Sequence, residues 1–518
     1  MVAKDSLCYV DGGDFVINEY RVPMGLSTED DKPKTLISMG AYVIIMPDKK
    51  YINTEPKKTN EYDYGNIEAS IETTSTVSFG LCKVDGVGYD NVAAQTTPPP
   101  EPNNMDLWID TSESPHQLKQ YSSTTAMWTA IATTYIKISS PGIGKPFSVN
   151  DGVTIEGVED IPDLNASMVI WAKGDDYIVV TGILDHVTTQ NTPITISRKM
   201  PTMDFIIESE NRLWGCRYGK AINGEIVNEI YASKLGDFKN WNCFMGISTD
   251  SYAASVGSDG QFTGAITHLG YPLFFKENCI HKVYGNYPAN YQIQTTVCRG
   301  VQKGSERSLA IVNEVLYYKS RSSICAYDGS LPQEISSALG EINYYNAVAG
   351  VLRNKYYISM ADDKENYHLF VYDTMKGMWH REDSTQATDF CNCRGDLYFI
   401  DYGDNQIKTV KGTGIPDTST IKWKAETGII GTDSPDKKYI SRMDVRLSLT
   451  SGSRVFFYIQ YDSTSEWEHL LTMIGTTLRS FSIPIRPKRC DHLRLRILGE
   501  GDAKIYSICK TIEQGSDV

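Results

Sequence analysis

The sequence predicts an all-β protein whose main body is a β-propeller. Six stretches share one pattern: a short apolar strand, a tight polar turn and a second strand rich in Leu, Tyr and Phe. They lie at residues 35–46, 204–216, 264–276, 308–319, 346–359 and 388–400. The last four recur about every 40 residues, which is typical of propeller blades built from several short strands. The 32 Tyr, 15 Phe and 8 Trp also favour strands over helices. We therefore predict a propeller of about six blades, with seven as the nearest alternative if a C-terminal strand completes the ring.

The first part of the chain predicts one blade hairpin and then an insertion. Residues 1–34 are polar and rich in turns, which indicates an extended arm or an edge strand, and 35–56 read as the first hairpin. We assign 1–59 to this arm and hairpin. The blade pattern stops near residue 60 and resumes near 200. Residues 60–197 contain a proline-rich linker and several hairpin signals, so we predict an inserted all-β domain there.

The remaining blades are predicted at 198–414, after which the pattern changes. The C-terminal strands are longer and alternate strictly between apolar and polar residues. This alternation predicts a C-terminal β-sandwich at 415–518. The alternative is that part of this tail folds into the propeller and closes it.

Charge and targeting signals narrow the class of protein. The chain has 50 Lys and Arg against 64 Asp and Glu, a net charge of −14. This balance argues against a protein that coats nucleic acid, although DNA passing through a channel is compatible with it. The N-terminus lacks the apolar core of a secretory signal, and we expect no membrane span. The 11 scattered cysteines are expected to be reduced and mostly buried.

Two turns carry the candidate site residues. The segment NEIYASKLGDFKNW at 228–241 resembles the Asp-box turn of sialidase-type propellers. The segment DTMKGMWHRED at 373–383 has the same order of a tight turn that begins with Asp and a Trp that follows it. An Asp in such a turn accepts backbone N–H groups, and a Trp packs between strands. We therefore predict structural roles in locking the blades together for Asp237, Trp241, Asp373 and Trp379. We predict the same role for Trp214, which lies in the second strand of the stretch at 204–216.

Other patterns predict no catalytic, cofactor-binding or metal-binding residues. The charged residues 380–383 are consecutive in a strand, so they point to alternate faces and do not converge on a substrate. Cys391 and Cys393 have no second pair of ligands that would complete a zinc site. We expect no cofactor and no metal.

A basic patch near the C-terminus is open to two interpretations. It consists of Arg479, Arg486, Lys488, Arg489, Arg494 and Arg496. The patch is either an outer face held by salt bridges or a surface that meets an acidic partner subunit or passing DNA.

The first hairpin, MGAYVIIMPDKKYINT, and the segments NRLWGCRYG, NEIYASKLGDFKNW and YHLFVYDTMKGMWHRED together resemble virion structural proteins of tailed bacteriophages. More narrowly, they resemble the propeller-bearing tail nozzle and packaged-DNA stabilisation proteins of the head-to-tail connector. The resemblance covers a little under half of the chain. It implies a rigid propeller without catalytic residues, present as a homo-oligomeric ring around the DNA conduit. The implied partners are further copies of the chain and neighbouring tail or connector proteins. The implied location is the virion tail, after synthesis in the host bacterial cytoplasm.

Two other functions compete with this one. The first is a distal baseplate or receptor-binding propeller protein that contacts saccharides. The second is a propeller enzyme of the glycosidase class, which would need an arginine cluster beside a Tyr/Glu pair on the inner strands. Tyrosines are available there, but no arginine triplet aligns with them. We therefore expect a protein that is not an enzyme and has no hydrolase activity.

Overall fold

The structure is a computed structural model, and it consists of two compact units, residues 1–412 and 413–518. It describes residues 1–29, 33–89, 92–221, 224–411, 421–431, 437–475 and 477–514. Within these residues the regular structure is β-strand apart from four single-turn 3-10 helices at Pro162–Leu164, Pro288–Asn290, Glu306–Ser308 and Ser337–Leu339. The prediction of an all-β protein is confirmed. No helix of the described residues is long and apolar enough to cross a membrane.

Among the described residues of the first unit, seven antiparallel sheets each consist of strands that pair in chain order. Sheet 1 contains β1 to β4 at Val2–Ala3, Leu7–Asp11, Asp14–Ile17 and Tyr20–Pro23. Sheet 2 contains β5 to β8 at Thr35–Met39, Tyr42–Met46, Lys50–Asn53 and Tyr64–Asn66. An insert at residues 67–198 then separates sheet 2 from sheet 3.

The insert forms three sheets from strands β9 to β21. Their bounds are Ala69–Glu72, Val77–Cys82, Ala93–Gln95, Leu107–Asp110, Gln117–Ser122, Met127–Ala130, Tyr135–Ser139, Gly152–Glu156, Ser167–Val169, Ala172–Lys173, Tyr177–Thr181, Thr188–Gln190 and Thr195–Arg198. A five-stranded sheet of order β18-β19-β15-β10-β20 and a four-stranded sheet of order β17-β16-β21-β9 share one apolar core. The third sheet, β11 to β14, branches off between β10 and β15. The first and last strands of the insert, β9 and β21, pair with each other.

Sheets 3 to 7 follow the insert without interruption. Sheet 3 contains β22 to β25 at Phe205–Ser209, Arg212–Lys220, Ile226–Ala232 and Tyr252–Ser255. Sheet 4 contains β26 to β29 at Gly264–His268, Tyr271–Lys276, Cys279–Tyr284 and Gln292–Val297. Sheet 5 contains β30 to β33 at Ala310–Val312, Val315–Lys319, Ile324–Tyr327 and Gln333–Glu334. Sheet 6 contains β34 to β37 at Tyr345–Leu352, Lys355–Ala361, Tyr367–Asp373 and Met378–Asp383. Sheet 7 contains β38 to β40 at Ala387–Cys393, Asp396–Asp401 and Ile407–Thr409.

The first strands of these sheets contact one another in sequence. Strand β1 lies against β5, β5 against β22, β22 against β26, β30 against β34, and β34 against β38. Between sheets 4 and 5 the 3-10 turn Glu306–Ser308 contacts both β26 and β34. Strand β38 also contacts β1, and the Arg394 Nε donates a hydrogen bond of 2.7 Å to the Asp5 carbonyl oxygen. This arrangement is consistent with a propeller-like fold.

Sheet 1 differs from what the sequence predicted for residues 1–34. Four strands between Val2 and Pro23 pair into a sheet instead of forming an extended arm or a single edge strand. Phe15 and Ile17 are buried in the core that sheet 1 shares with sheet 2. Asn18 and Glu19 both have positive φ, which is the geometry of a two-residue hairpin turn. Because neither residue is glycine, this turn gives only a weak sequence signal.

The second unit contains two sheets that pack on a single apolar core. One has the order β41-β46-β43-β44 and the other β45-β42-β47. The bounds of β41 to β47 are Lys422–Glu426, Lys438–Leu449, Arg454–Tyr461, Glu468–Ile474, Arg479–Ile483, Leu493–Glu500 and Ala503–Gln514. Alternate residues of β42 and β46 are buried, as the strict alternation in the sequence indicates.

Candidate functional site

The loop after β24 contains the Asp-box-like residues and is closed by its own side chains. The Asp237 Oδ1 accepts a hydrogen bond of 3.0 Å from the Lys239 backbone N–H. The Asp237 Oδ2 accepts one of 2.5 Å from the Asn240 Nδ2. Gly236 has a φ of +71°, a conformation that glycine adopts without steric cost. Asp237 therefore occupies the turn position that the sequence assigned to it.

Trp241 lies between two sheets. Its side chain is 3% exposed, and its Nε1 donates a hydrogen bond of 3.0 Å to the Phe238 carbonyl oxygen. The apolar cluster around it includes Ile44 of sheet 2 and Leu213 of sheet 3. Trp241 thus joins sheets that are separated in the chain by the insert.

Trp214 occupies the corresponding place between sheets 3 and 4. It is 2% exposed, and the centre of its ring lies 4.9 Å from that of Tyr291. Tyr291 directly precedes β29 of sheet 4. An edge-to-face aromatic pair of this kind adds specific geometry to simple apolar burial.

Asn240 connects the same loop to the insert. Its side chain is fully buried, and its Nδ2 donates a hydrogen bond of 3.1 Å to the Asp151 Oδ1. Its Oδ1 accepts one of 2.8 Å from the Gly152 backbone N–H. A Cβ atom at Gly152 would lie 2.8 Å from the Asn242 carbonyl oxygen, so the contact requires glycine. The Asp-box-like loop therefore holds the insert as well as neighbouring strands.

A buried ion pair completes this contact. Asp151 and Arg198 form a salt bridge in which their side chains are 5% and 7% exposed. The Arg198 Nε and Nη2 also donate hydrogen bonds of 3.1 and 3.0 Å to the Ile67 carbonyl oxygen. Ile67 begins the insert and Arg198 ends it. We call Ile67, Asp151, Arg198 and Asn240 the junction.

No sequence pattern indicates the ion pair of the junction. Asp151 and Arg198 are far apart in the chain, and neither lies in a recognisable motif. The only sequence signal that leads to the junction is Asn240, which lies inside the Asp-box-like segment.

The second predicted turn is closed in a similar way but is more exposed. The Asp373 Oδ1 accepts hydrogen bonds of 3.1 and 3.2 Å from the backbone N–H groups of Met375 and Lys376. Trp379 is half-buried, and its Nε1 donates a hydrogen bond of 2.7 Å to the Ile335 carbonyl oxygen. Ile335 follows β33, so Trp379 connects sheet 6 to sheet 5.

The basic patch does not form one continuous cluster of unpaired cations. The Arg494 Nη2 and Arg496 Nε lie 3.1 and 3.2 Å from the two carboxylate oxygens of Glu426. Lys488 pairs with Glu468 at 3.0 Å, and the Arg479 guanidinium lies over the Phe481 ring. The other two members of the patch, Arg486 and Arg489, are exposed. For Arg494 and Arg496 the contacts match the salt-bridged interpretation.

A cavity of about 530 Å³ is lined by residues at or near the first strands of several sheets. Carboxylates reach it from separate parts of the chain: Asp204, Glu306 and Asp389. Burial raises the pKa of Asp204 above its ordinary value, against an opposing hydrogen bond from the Tyr218 N–H. Arg307 lies along one side of the cavity. Its Nη1 donates a hydrogen bond of 2.7 Å to the Thr388 carbonyl oxygen, and its Nη2 donates one of 3.2 Å to the Lys34 carbonyl oxygen. No group of three or more potential metal ligands occurs among the described residues.

Comparisons with known proteins found neither a matching family model nor a matching curated protein. Among solved structures, the chain is similar to an exo-β-1,3-galactanase from Phanerochaete chrysosporium in complex with galactose. The identity is 9% and the TM-score 0.24, over 59% of this chain and 95% of that chain. A glycoside hydrolase is similar at 12% identity and a TM-score of 0.22, over 58% and 96% of the two chains.

These neighbours correct one prediction from the sequence. The expectation that the chain is not an enzyme is wrong as it stood, because the similar solved structures are glycoside hydrolases. The TM-scores are too low to assign a reaction or a substrate to this chain.

Proposed function

We propose that this chain is a structural component of a tailed-phage virion and forms a homo-oligomeric ring in the tail or the head-to-tail DNA channel. The observation that carries the proposal is the set of contacts made by the segment NEIYASKLGDFKNW at 228–241, which is part of the phage resemblance. Its residues Asn240 and Trp241 bind together the insert, sheet 2 and sheet 3. These contacts give the segment a mechanical role, which is the role that the resemblance implies.

We further propose that sheets 1 to 7 are the blades of a seven-bladed propeller. The contact of β38 with β1 supports a ring in which sheet 1 closes against sheet 7. The seventh blade would then come from the N-terminal segment, whereas the sequence-based alternative took a closing strand from the C-terminus. A closed ring, with the insert held at the junction, would give neighbouring subunits a stiff body to pack against.

The outer strands offer surfaces for contacts between subunits. Val297 at the end of β29 is 86% exposed, and Met378 on β37 is 61% exposed. A ring forms when two different patches of each subunit meet and the rotation closes. Each such contact is expected to bury at least about 1,000 Å². Residues 1–412 have 35 Lys and Arg against 51 Asp and Glu. This excess of acidic residues leaves few cationic side chains that would bind the phosphates of passing DNA and hold it back.

The test is the position and copy number of the chain in an intact particle, measured by electron cryo-microscopy. We expect several copies in a ring that surrounds the DNA path in the tail. A single copy at the tip of a fibre or baseplate would instead support the receptor-binding alternative. Absence of the chain from purified particles would overturn both virion proposals.

A second candidate function is hydrolysis of a glycosidic bond, and the 530 Å³ cavity is the observation that favours it. Such hydrolysis needs one protonated and one ionised carboxyl group. The raised pKa of Asp204 suits the protonated role, and Glu306 and Asp389 are the other carboxyl groups that line the cavity. Arg307 would orient the sugar hydroxyls from the side of the cavity.

This candidate is tested by assaying the purified chain with a panel of glycosides that includes β-1,3-linked galactans. We expect Asp204→Asn and Glu306→Gln to abolish turnover, while the exposed Glu341→Gln retains it. Lack of turnover by the unmodified chain on every glycoside, or equal turnover in all variants, would reject the cavity as a hydrolytic site.

A further inference from the structure

Sheet 7 has one strand fewer than the other six sheets of the first unit, over the residues that the structure describes. Sheets 1 to 6 each contain four strands, whereas sheet 7 ends with β40 at Ile407–Thr409. The third strand of each of the other sheets contains at least one buried residue, but all three residues of β40 are partly exposed. Strand β40 is therefore a third strand without the fourth strand that flanks its counterparts.

The outer edge of β40 presents backbone groups that have no partner. The Gln406 carbonyl oxygen accepts a hydrogen bond of 3.0 Å from β39, and the Val410 N–H donates one of 2.9 Å to β39. Because the backbone groups of successive strand residues point to opposite sides, those of Ile407 and Thr409 point away from β39. No hydrogen bond joins them to any other described residue. Such an edge is a template on which a further strand can pair.

The second unit contains a long strand that is paired on one side only. Strand β47 has 12 residues, whereas the other outer strands of this unit, β41, β44 and β45, have five to seven. Its one strand partner within the described part of the chain is β42. From Ser507 to Thr511 it pairs with β42 without a register shift, and these five residues are exposed. Proteins usually shorten or cover long exposed edges, because such edges pair with other chains.

The two edges belong to units of opposite net charge. Residues 1–412 have 35 Lys and Arg against 51 Asp and Glu, and residues 413–518 have 15 against 13. The excess of basic residues is concentrated in the sheet of β42, β45 and β47, whose strands contain six Lys and Arg against two Asp and Glu. Electrostatic attraction therefore favours an encounter between the second unit of one copy and the first unit of another.

We propose that β47 of one copy adds to sheet 7 of a neighbouring copy, antiparallel to β40 and in the position of a fourth strand. The occupant is a second copy of this chain, because every copy has both the three-stranded sheet and the unpaired edge, in units of opposite charge. The two edges are different surfaces, so the contact is heterologous and repeats head to tail. This inference rests on the proposed ring, for which it supplies the contact between subunits.

Cross-linking tests whether the two edges meet. Cys509 is exposed on β47, and Thr409→Cys places a second thiol on β40. We expect a short bismaleimide to link the concentrated full chain of this variant into covalent dimers and longer oligomers, and the additional change Cys509→Ser to abolish them. Ser255→Cys, exposed on the outer strand β25 of sheet 3, is the control and should give no oligomers. The proposal is overturned if no oligomers form, if the links stay within single chains, or if oligomers persist with Cys509→Ser.

Proline substitution tests whether the backbone of β40 takes part. Thr409→Pro removes an N–H that points away from β39, so we expect sheet 7 to remain folded and self-association to weaken at least about tenfold. Ser255→Pro is the matched control: the Val256 N–H donates to the Asn228 carbonyl oxygen of β24, so the Ser255 N–H points away from β24. Analytical ultracentrifugation measures association, and circular dichroism checks the fold. Equal association of the two variants would contradict pairing at β40.

The strand pairing and the virion ring can fail independently of each other. A ring in the intact particle whose subunits meet at surfaces other than β40 and β47 would refute the pairing and leave the proposed function standing. Self-association through these two strands, by a chain that is absent from purified particles, would support the pairing and refute the proposed function.

Discussion

The two units of the chain use arginine–carboxylate pairs in opposite ways. In the junction, Arg198 and Asp151 are 7% and 5% exposed, and hydrogen bonds to buried partners surround them. In the second unit, Glu426 pairs with both Arg494 and Arg496, whose side chains are 36% and 26% exposed. Arg496 also stacks on Trp467 at 3.8 Å. One pair fixes where distant segments meet, and the other covers the outside of a sheet.

The difference lies in what each carboxylate would contact without its arginine. Asp151 is surrounded by protein, so removal of Arg198 leaves an uncompensated buried charge. Glu426 keeps Lys424 at 2.7 Å and is close to solvent. Burial opposes ionisation of Glu426, but hydrogen bonds from Lys424 and Arg496 outweigh it and lower its pKa. Similar pairs therefore have very different consequences for stability.

The largest effect is expected at the junction. Arg198→Met removes the cation and both hydrogen bonds to Ile67 while keeping most of the side-chain volume. We expect it to lower the free energy of unfolding by about 3–5 kcal/mol, measured by urea denaturation of the full chain. Arg496→Met is the matched change in the second unit and should cost about 1 kcal/mol or less. Equal losses in the two variants would remove the distinction between the pairs.

Trp241 tests the apolar side of the same loop. Trp241→Ala empties a site that is 3% exposed between sheets 2 and 3, and we expect a loss of about 3–5 kcal/mol. Trp379→Ala should cost less, because that ring is half-buried. Thermal unfolding followed by circular dichroism measures both. An unchanged melting temperature for Trp241→Ala would show that the ring does not hold the sheets together.

A third prediction concerns a buried titratable group in the first unit. His281 is fully buried, and burial, assisted by the charge of Lys276, lowers its pKa to about 4 from 6.5. Between these values the unfolded chain binds a proton that the folded chain does not. The free energy of unfolding therefore falls as the pH drops from about 6.5 to about 4, by about 3 kcal/mol from this group.

The measurement is urea denaturation at pH 7 and pH 4.5 for the unmodified chain and for His281→Gln. We expect the variant to lose a smaller part of its stability on acidification, since glutamine does not titrate in this range. His469→Gln, an exposed histidine of the second unit, is the control and should retain the full dependence. A variant as sensitive to pH as the control would exclude His281 as the cause.

The smallest effect is expected at the carboxylate of the second unit. Glu426→Gln keeps the side-chain shape and removes the charge that holds the two arginines. Because all three side chains reach solvent, we expect a loss of about 1 kcal/mol or less, and less still in high salt. A loss of several kcal/mol would show that the surface network stabilises the second unit as strongly as the junction stabilises the first.

Local sequence patterns predicted the strands well and the long-range contacts poorly. The hairpin expected at 204–216 is present as β22 and β23, and the turn around Asp237 has the expected hydrogen bonds. These features depend on neighbours a few residues apart, which a single sequence displays directly. The ion pair of Asp151 and Arg198 depends on how the insert returns to its starting point, and no periodic pattern records that.

Sheet 1 and the cavity were missed for related reasons. The two-residue turn at Asn18 and Glu19 lacks glycine, so residues 1–34 resembled an arm. The carboxylates Asp204, Glu306 and Asp389 come from three separate sheets or turns and meet only through the tertiary fold. The expectation of a protein without enzymatic function was built on the absence of local motifs, and such an absence is uninformative when the residues of a site are dispersed.

The pairing of β9 with β21, together with the hydrogen bonds from Arg198 to Ile67, brings the two ends of the insert side by side. A segment with adjacent ends can be exchanged without altering the path of the chain on either side. The insert therefore leaves the seven sheets and returns to them at one place, the junction. The length of the insert can therefore change without displacing the sheets before and after it, as long as Arg198, Asp151 and Asn240 keep their contacts.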